Sequence, residues 1–169
     1  MPLVNEAELA TLVVADERHA TEAVADAVVE RLLLHAAEQL SVEECWEMAE
    51  WRGLPGQAFR ERSRLLEILA RLGFAIPDTS ASHCILLREL AERVVAGQLE
   101  VRDASYHLQH HEMELGVFGP FQQLLSQEGD ARDRSPAGRD DFWAEATPLA
   151  KERCRQLLAG HFPFLLPGA

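Results

Sequence analysis

The chain is poor in the residues that specify a site by themselves. Its three cysteines, Cys45, Cys84 and Cys154, lie far apart, and no Cys-x-x-Cys pair is present. That excludes a disulfide framework and paired-cysteine zinc sites, and leads us to expect reduced thiols in a cytoplasm. A single lysine, Lys151, stands against fifteen arginines, and Tyr106 is the one tyrosine. No apolar run reaches the ~18 residues that a membrane-spanning helix needs. The opening Met1-Pro2-Leu3-Val4-Asn5-Glu6 has neither a basic nor an apolar segment, so no secretory signal is expected. There is no Gly-x-Gly-x-x-Gly turn, no Walker A loop and no Gly-x-Ser-x-Gly elbow. The usual signatures of dinucleotide binding, nucleoside triphosphate hydrolysis and serine ester hydrolysis are therefore missing. Strand signals are scarce too: Leu99-Glu100-Val101 alternates, but it is too short to carry a sheet.

Basic charge is the other shortage. Asp and Glu number 28 against 16 Lys and Arg, for a net charge of −12. Residues 1–50 hold twelve of the acids and only two bases, Arg18 and Arg31. A surface of this sign repels phosphate backbones, so nucleic acid is not an expected partner. It suits a basic protein.

What is present is helix grammar. The chain has 169 residues, 47% hydrophobic and 26% charged, values typical of a globular domain. A chain of this size buries roughly 70% of its unfolded surface and needs no metal or disulfide to fold. We expect one helical domain over 1–160 and an apolar, proline-broken tail over 161–169. From Glu6 to about Gln39 neither glycine nor proline occurs. Val24, Val28, Leu32 and Ala36 form an apolar stripe there, widened by Ala25, Val29, Leu33 and Leu40. Periodicity leaves open whether this is one helix or two broken near Asp16–Thr21.

Ser41-Val42-Glu43-Glu44 has capping-box form, which predicts a short helix ending at Gly53. Further helices are expected over about Gln57–Leu72, from Thr79 or Ser80 to Ala96, from Asp103 to Leu115, over Phe121–Gln127, and from Asp140 or Asp141 to Ala159. Pro148 is expected to kink or restart the last of these. The stretch 128–140 is polar, with two glycines and a proline, and is expected to be a surface loop. The fold class is therefore all-α: an irregular bundle of about six or seven helices joined by short loops.

Three patterns carry possible function. On a helix, His107 and His111 stand one turn apart and Glu114 shares their side, with His110 adjacent. Imidazoles and a carboxylate so spaced suit zinc or another divalent ion, and a metal-assisted hydrolase follows as one alternative. The His-Glu-x-x-His zincin motif begins at His111-Glu112 but fails, because its second histidine falls at Leu115. The second pattern is a polar stripe of His19, Glu22, Asp26 and Glu30, which reads as a solvated face. In the third, Glu43, Glu47 and Glu50 line one helix face between Trp46 and Trp51. Acids framed by tryptophan fit a basic partner surface: the aromatic anchors and the acids steer. Arg60, Arg64 and Arg71 on the next helix could pair with these acids or serve a dimer contact.

The leading expectation is a non-enzymatic cytoplasmic interaction protein, of an immunity, antitoxin-like or adaptor type, with no cofactor. The alternatives are the divalent-metal protein centred on His107, His110, His111 and Glu114, and a structural homo-oligomer.

Overall fold

The computed structural model describes residues 3–15, 21–134 and 137–161. Among these residues the chain is all-helical, with nine α-helices, one short 3-10 helix and no strand. Residues 6–39, which periodicity leaves open, hold two α-helices, and 57–72, which reads as continuous, holds two as well. Asp16 and His19, and the tail beyond His161, lie outside the described residues. Contacts gather the chain into two compact units, Met1–Ser82 and His83–Ala169, each with its own hydrophobic core.

The first unit opens with α1 (Glu6–Val14) and α2 (Thr21–His35), followed by a 3-10 helix at Ala37–Gln39. The Asn5 side chain accepts from the Glu8 amide at 2.9 Å, and Glu8 reaches back to the Asn5 amide at 3.0 Å. This reciprocal cap satisfies donors that the first turn leaves open. The α2 stripe is buried as its spacing predicts, through Ala25, Val28, Val29 and Leu32, with Ala36 beyond the helix end. Next comes α3 (Val42–Arg52), started by the expected Ser41–Glu44 capping box. The expected 57–72 helix is divided into α4 (Gln57–Arg60) and α5 (Arg62–Arg71), because Glu61 sits at φ −91°, ψ 15°. Leu65, Ile68 and Leu69 of α5 join Met48 and Trp51 of α3 in the core.

Two arginines of α5 tie that helix to α3. Arg71 donates through Nε to the Glu44 carboxylate at 3.0 Å, and its Nη2 reaches the other carboxylate oxygen. Arg64 meets Glu47 at 3.3 Å. Arg60 instead turns back to Gln57 and the Pro55 carbonyl. Arginine-to-acid pairing inside the unit is thus real for two of the three residues. Glu22 and Asp26 are exposed, and exposed Glu30 pairs with Arg52, as on a solvated face.

Of α6 (Thr79–Val95), the residues from His83 onward belong to the second unit, where Leu86, Leu87, Leu90, Ala91 and Val94 are buried. The start of α6 is capped by Asp78, one residue before the expected caps, which accepts from the Ala81 amide at 2.7 Å. The others are α7 (Val101–Glu114), α8 (Pro120–Arg134) and α9 (Gly138–Leu158). Phe121, Leu124, Trp143, Ala150, Cys154 and Leu157 fill the core between them.

The stretch 128–140, expected as a polar loop, is helical over 128–134 and again from Gly138. The reason is tertiary. Glu128 is buried, and its carboxylate accepts from Tyr106 Oη at 2.8 Å, Arg139 Nε at 2.6 Å and Trp143 Nε1 at 3.1 Å. Donors from α7 and α9 thus hold α8 in place where composition alone reads as solvent-loving. Gly138 is no loop marker either. A Cβ there would lie 2.0 Å from the Ala131 carbonyl oxygen, so only glycine lets the two backbones meet. Pro148 does not restart α9, which runs through it as one helix.

Candidate functional site

Among the described residues, α3 is the element whose outward face carries both a large exposed aromatic and a row of acids. Glu44, Met48 and Trp51 form its buried side. At ~100° per residue, Trp46 points away from all three, and it is 74% exposed. Val42, one turn before it, is 75% exposed. Glu43, Ala49 and Glu50 are exposed beside them. With Trp46 and Glu47, these three line an open hollow of about 670 Å³.

The acids of α3 divide by partner. Glu44 belongs to the fold: the Ser41 amide, helped by Arg71, holds its carboxyl below the usual range despite burial. Glu47 is engaged by Arg64. Glu43 and Glu50 form no ion pair with any described residue, which leaves both side chains to solvent or a partner. Trp51 does not flank this face, contrary to expectation. It is 6% exposed and sits in the core. Five residues from Trp46 is ~140° around a helix, which carries the second indole to the opposite side.

The histidine pattern on α7 is partly rearranged by a neighbour. His111 is fully buried, His107 and His110 are half-buried, and Glu114 is exposed. His83 of α6, also buried, brings its Nδ1 to 2.9 Å from Nδ1 of His111. One ring donates and the other accepts, so at least one of the two Nδ1 atoms is unprotonated. Ring centroids lie 5.2 Å apart for His83 and His111, 5.5 Å for His110 and His111, and 6.2 Å for His83 and His110. The imidazole cluster is thus His83, His110 and His111. Among the described residues, no group of three His, Cys, Asp or Glu is placed to hold a metal ion. His83 lies 28 residues from its partner, and no local spacing marks it.

Next to this cluster, Glu112 is buried and caps α8 from outside. Its carboxylate accepts from the backbone amides of Phe121 at 3.2 Å and Gln122 at 2.9 Å. Gly119 makes room for it, since a Cβ at that position would sit 2.2 Å from the carboxylate. Burial pushes its carboxyl up to about 7, against the pull of the two amides and nearby Arg153. With both oxygens committed to amides, Glu112 is a structural group and not a free acid or base.

No helix among the described residues is long and apolar enough to cross a membrane. The chain matches no family model, and comparison with curated proteins and with solved structures gives no match.

Proposed function

We propose that this chain is a non-enzymatic interaction protein of the cytoplasm that presents the α3 face of its first unit to a basic protein partner, in the manner of an immunity protein or an adaptor. The observation that carries this reading is Trp46, 74% exposed between two acids that no described base neutralises. An indole facing water gains apolar burial only when something covers it, and tryptophan is among the commonest anchors of protein interfaces. The acidic excess of residues 1–50 supports the sign of the partner. Opposite charges speed the encounter and lose that effect as salt screens them.

The test is capture at low salt by the full chain, by Trp46→Ala and by Glu43→Gln/Glu50→Gln. A basic protein held by the unaltered chain, released by salt and lost with either variant supports the reading. A captured set unchanged by both variants sinks it.

A second reading, a divalent-metal-binding protein, draws on the approach of His83 to His111 with His110 beside them, although the described residues are not placed as a metal-ligand set. Elemental analysis of protein purified without tag or chelator decides it. A stoichiometric metal lost on replacing His110 and His111 by alanine would put this reading first. No metal after incubation with zinc would remove it.

A further inference from the structure

We infer that the partner element seated on α3 is an amphipathic basic helix whose two charge-bearing residues stand seven positions apart. This rests on the reading of α3 as the partner surface and goes further by naming the geometry of what binds there.

The first observation is that α3 has two apolar lines. One, through Met48 and Trp51, is spent on the core of its own unit. The other runs through Val42, Trp46 and Ala49, spaced four and three residues apart, and faces away from that core. Packing within the unit gives this second line nothing to do. Apolar residues at i, i+4 and i+7 form a continuous ridge along a helix. Such a ridge fits the groove of another helix.

The second observation is the charge pattern beside that ridge. Glu43 and Glu50 are separated by seven residues, two turns, or ~10.5 Å along the axis. Seven residues return to nearly the same side of a helix, within ~20°. Glu47 lies between them, but Arg64 already meets it from within the molecule. The face therefore offers two negative points, not three, at one end-to-end spacing. A helix lying along α3 matches them with arginine or lysine seven positions apart, flanking an apolar line that covers Trp46. An extended peptide in the polyproline II form, which advances ~3.1 Å per residue with about three residues per turn, would match the same points with bases three apart on one side. The two occupants thus differ in a spacing that a peptide can test.

Two synthetic peptides of equal length and net charge serve as probes. In one, two arginines stand seven apart beside a leucine line. In the other, they stand three apart and central prolines keep the chain extended. Each is titrated calorimetrically into the full chain, into Glu43→Gln/Glu50→Gln and into Trp46→Ala. Circular dichroism of each variant alone checks that it is folded. The expected result is at least tenfold tighter binding of the helical peptide, a gain of helix on binding, and loss of the tenfold preference in both variants. Equal or tighter binding of the extended peptide overturns the inference and leaves the proposed function standing. Failure of both peptides to bind overturns the two together.

Discussion

The buried carboxyl of Glu112 should make the second unit less stable as pH rises, which is opposite to the usual behaviour of a paired acid. Its folded pKa is about 7, raised from 4.5 chiefly by burial. The folded state therefore holds this proton more tightly than the unfolded chain does. The sign follows by linkage. The contribution is fully present below ~4.5, the unfolded value, and is lost as pH rises through ~7, the folded value. One pKa unit is ~1.36 kcal/mol, so the whole span is about 3 kcal/mol, most of it between ~pH 5 and ~pH 7. Glu112→Gln keeps the shape and removes the titration, so the difference between the two chains cancels every other acid. Urea unfolding followed through Trp143, with Trp46→Phe and Trp51→Phe in both chains, reports on the second unit alone. The unaltered chain is expected to lose about 2–3 kcal/mol more than Glu112→Gln between ~pH 5 and ~pH 8. Parallel losses in the two chains would refute the argument that burial holds the proton.

Three further outcomes follow from the packing. Gly138→Ala drives a methyl into the Ala131 carbonyl and should cost roughly 2 kcal/mol or more, whereas Gly129→Ala, with nothing within 4 Å on the same polar stretch, should stabilise α8 by about 0.5–1 kcal/mol; paired thermal melts decide, and equal effects would mean the two helices are not in contact there. Glu128→Ala strips the acceptor from Tyr106, Arg139 and Trp143 and should cost about 2–4 kcal/mol with a shift in Trp143 emission; an unchanged urea midpoint would show that water replaces the carboxylate freely. Trp51→Ala should cost about 3–5 kcal/mol and Trp46→Ala less than ~0.5 kcal/mol, and chemical unfolding that shows comparable losses for both would contradict the assignment of one indole to the core and the other to solvent.

Much of the local structure was legible because its causes are local. The capping box at Ser41 and Glu44 needs only four consecutive residues, and it starts α3 as its pattern predicts. The stripe of α2 needs only a repeat of 3.6 residues, and Val28, Leu32 and Ala36 are buried accordingly. The misreadings have distant causes. Residues 128–134 are polar for a loop's reason until Tyr106 and Trp143 arrive from other helices to satisfy Glu128. Gly138 reads as a breaker until Ala131 is seen against it. His107, His111 and Glu114 share a helix side, but His111 turns to His83, a residue no spacing rule connects to it.

What the sequence determined by itself was the class of structure and the sign of the surface. Apolar period, caps and glycine stops act over a few residues, so they specify helices wherever the chain goes, and net charge is a sum that folding does not change. Only the tertiary structure decided which side of each helix faces water. Trp46 and Trp51 have the same chemistry five positions apart. One is core and the other a candidate anchor, because the core of the first unit lies on one side of α3 and not on the other. Helical spacing places side chains on faces, and it takes the rest of the chain to cover one face and leave another open.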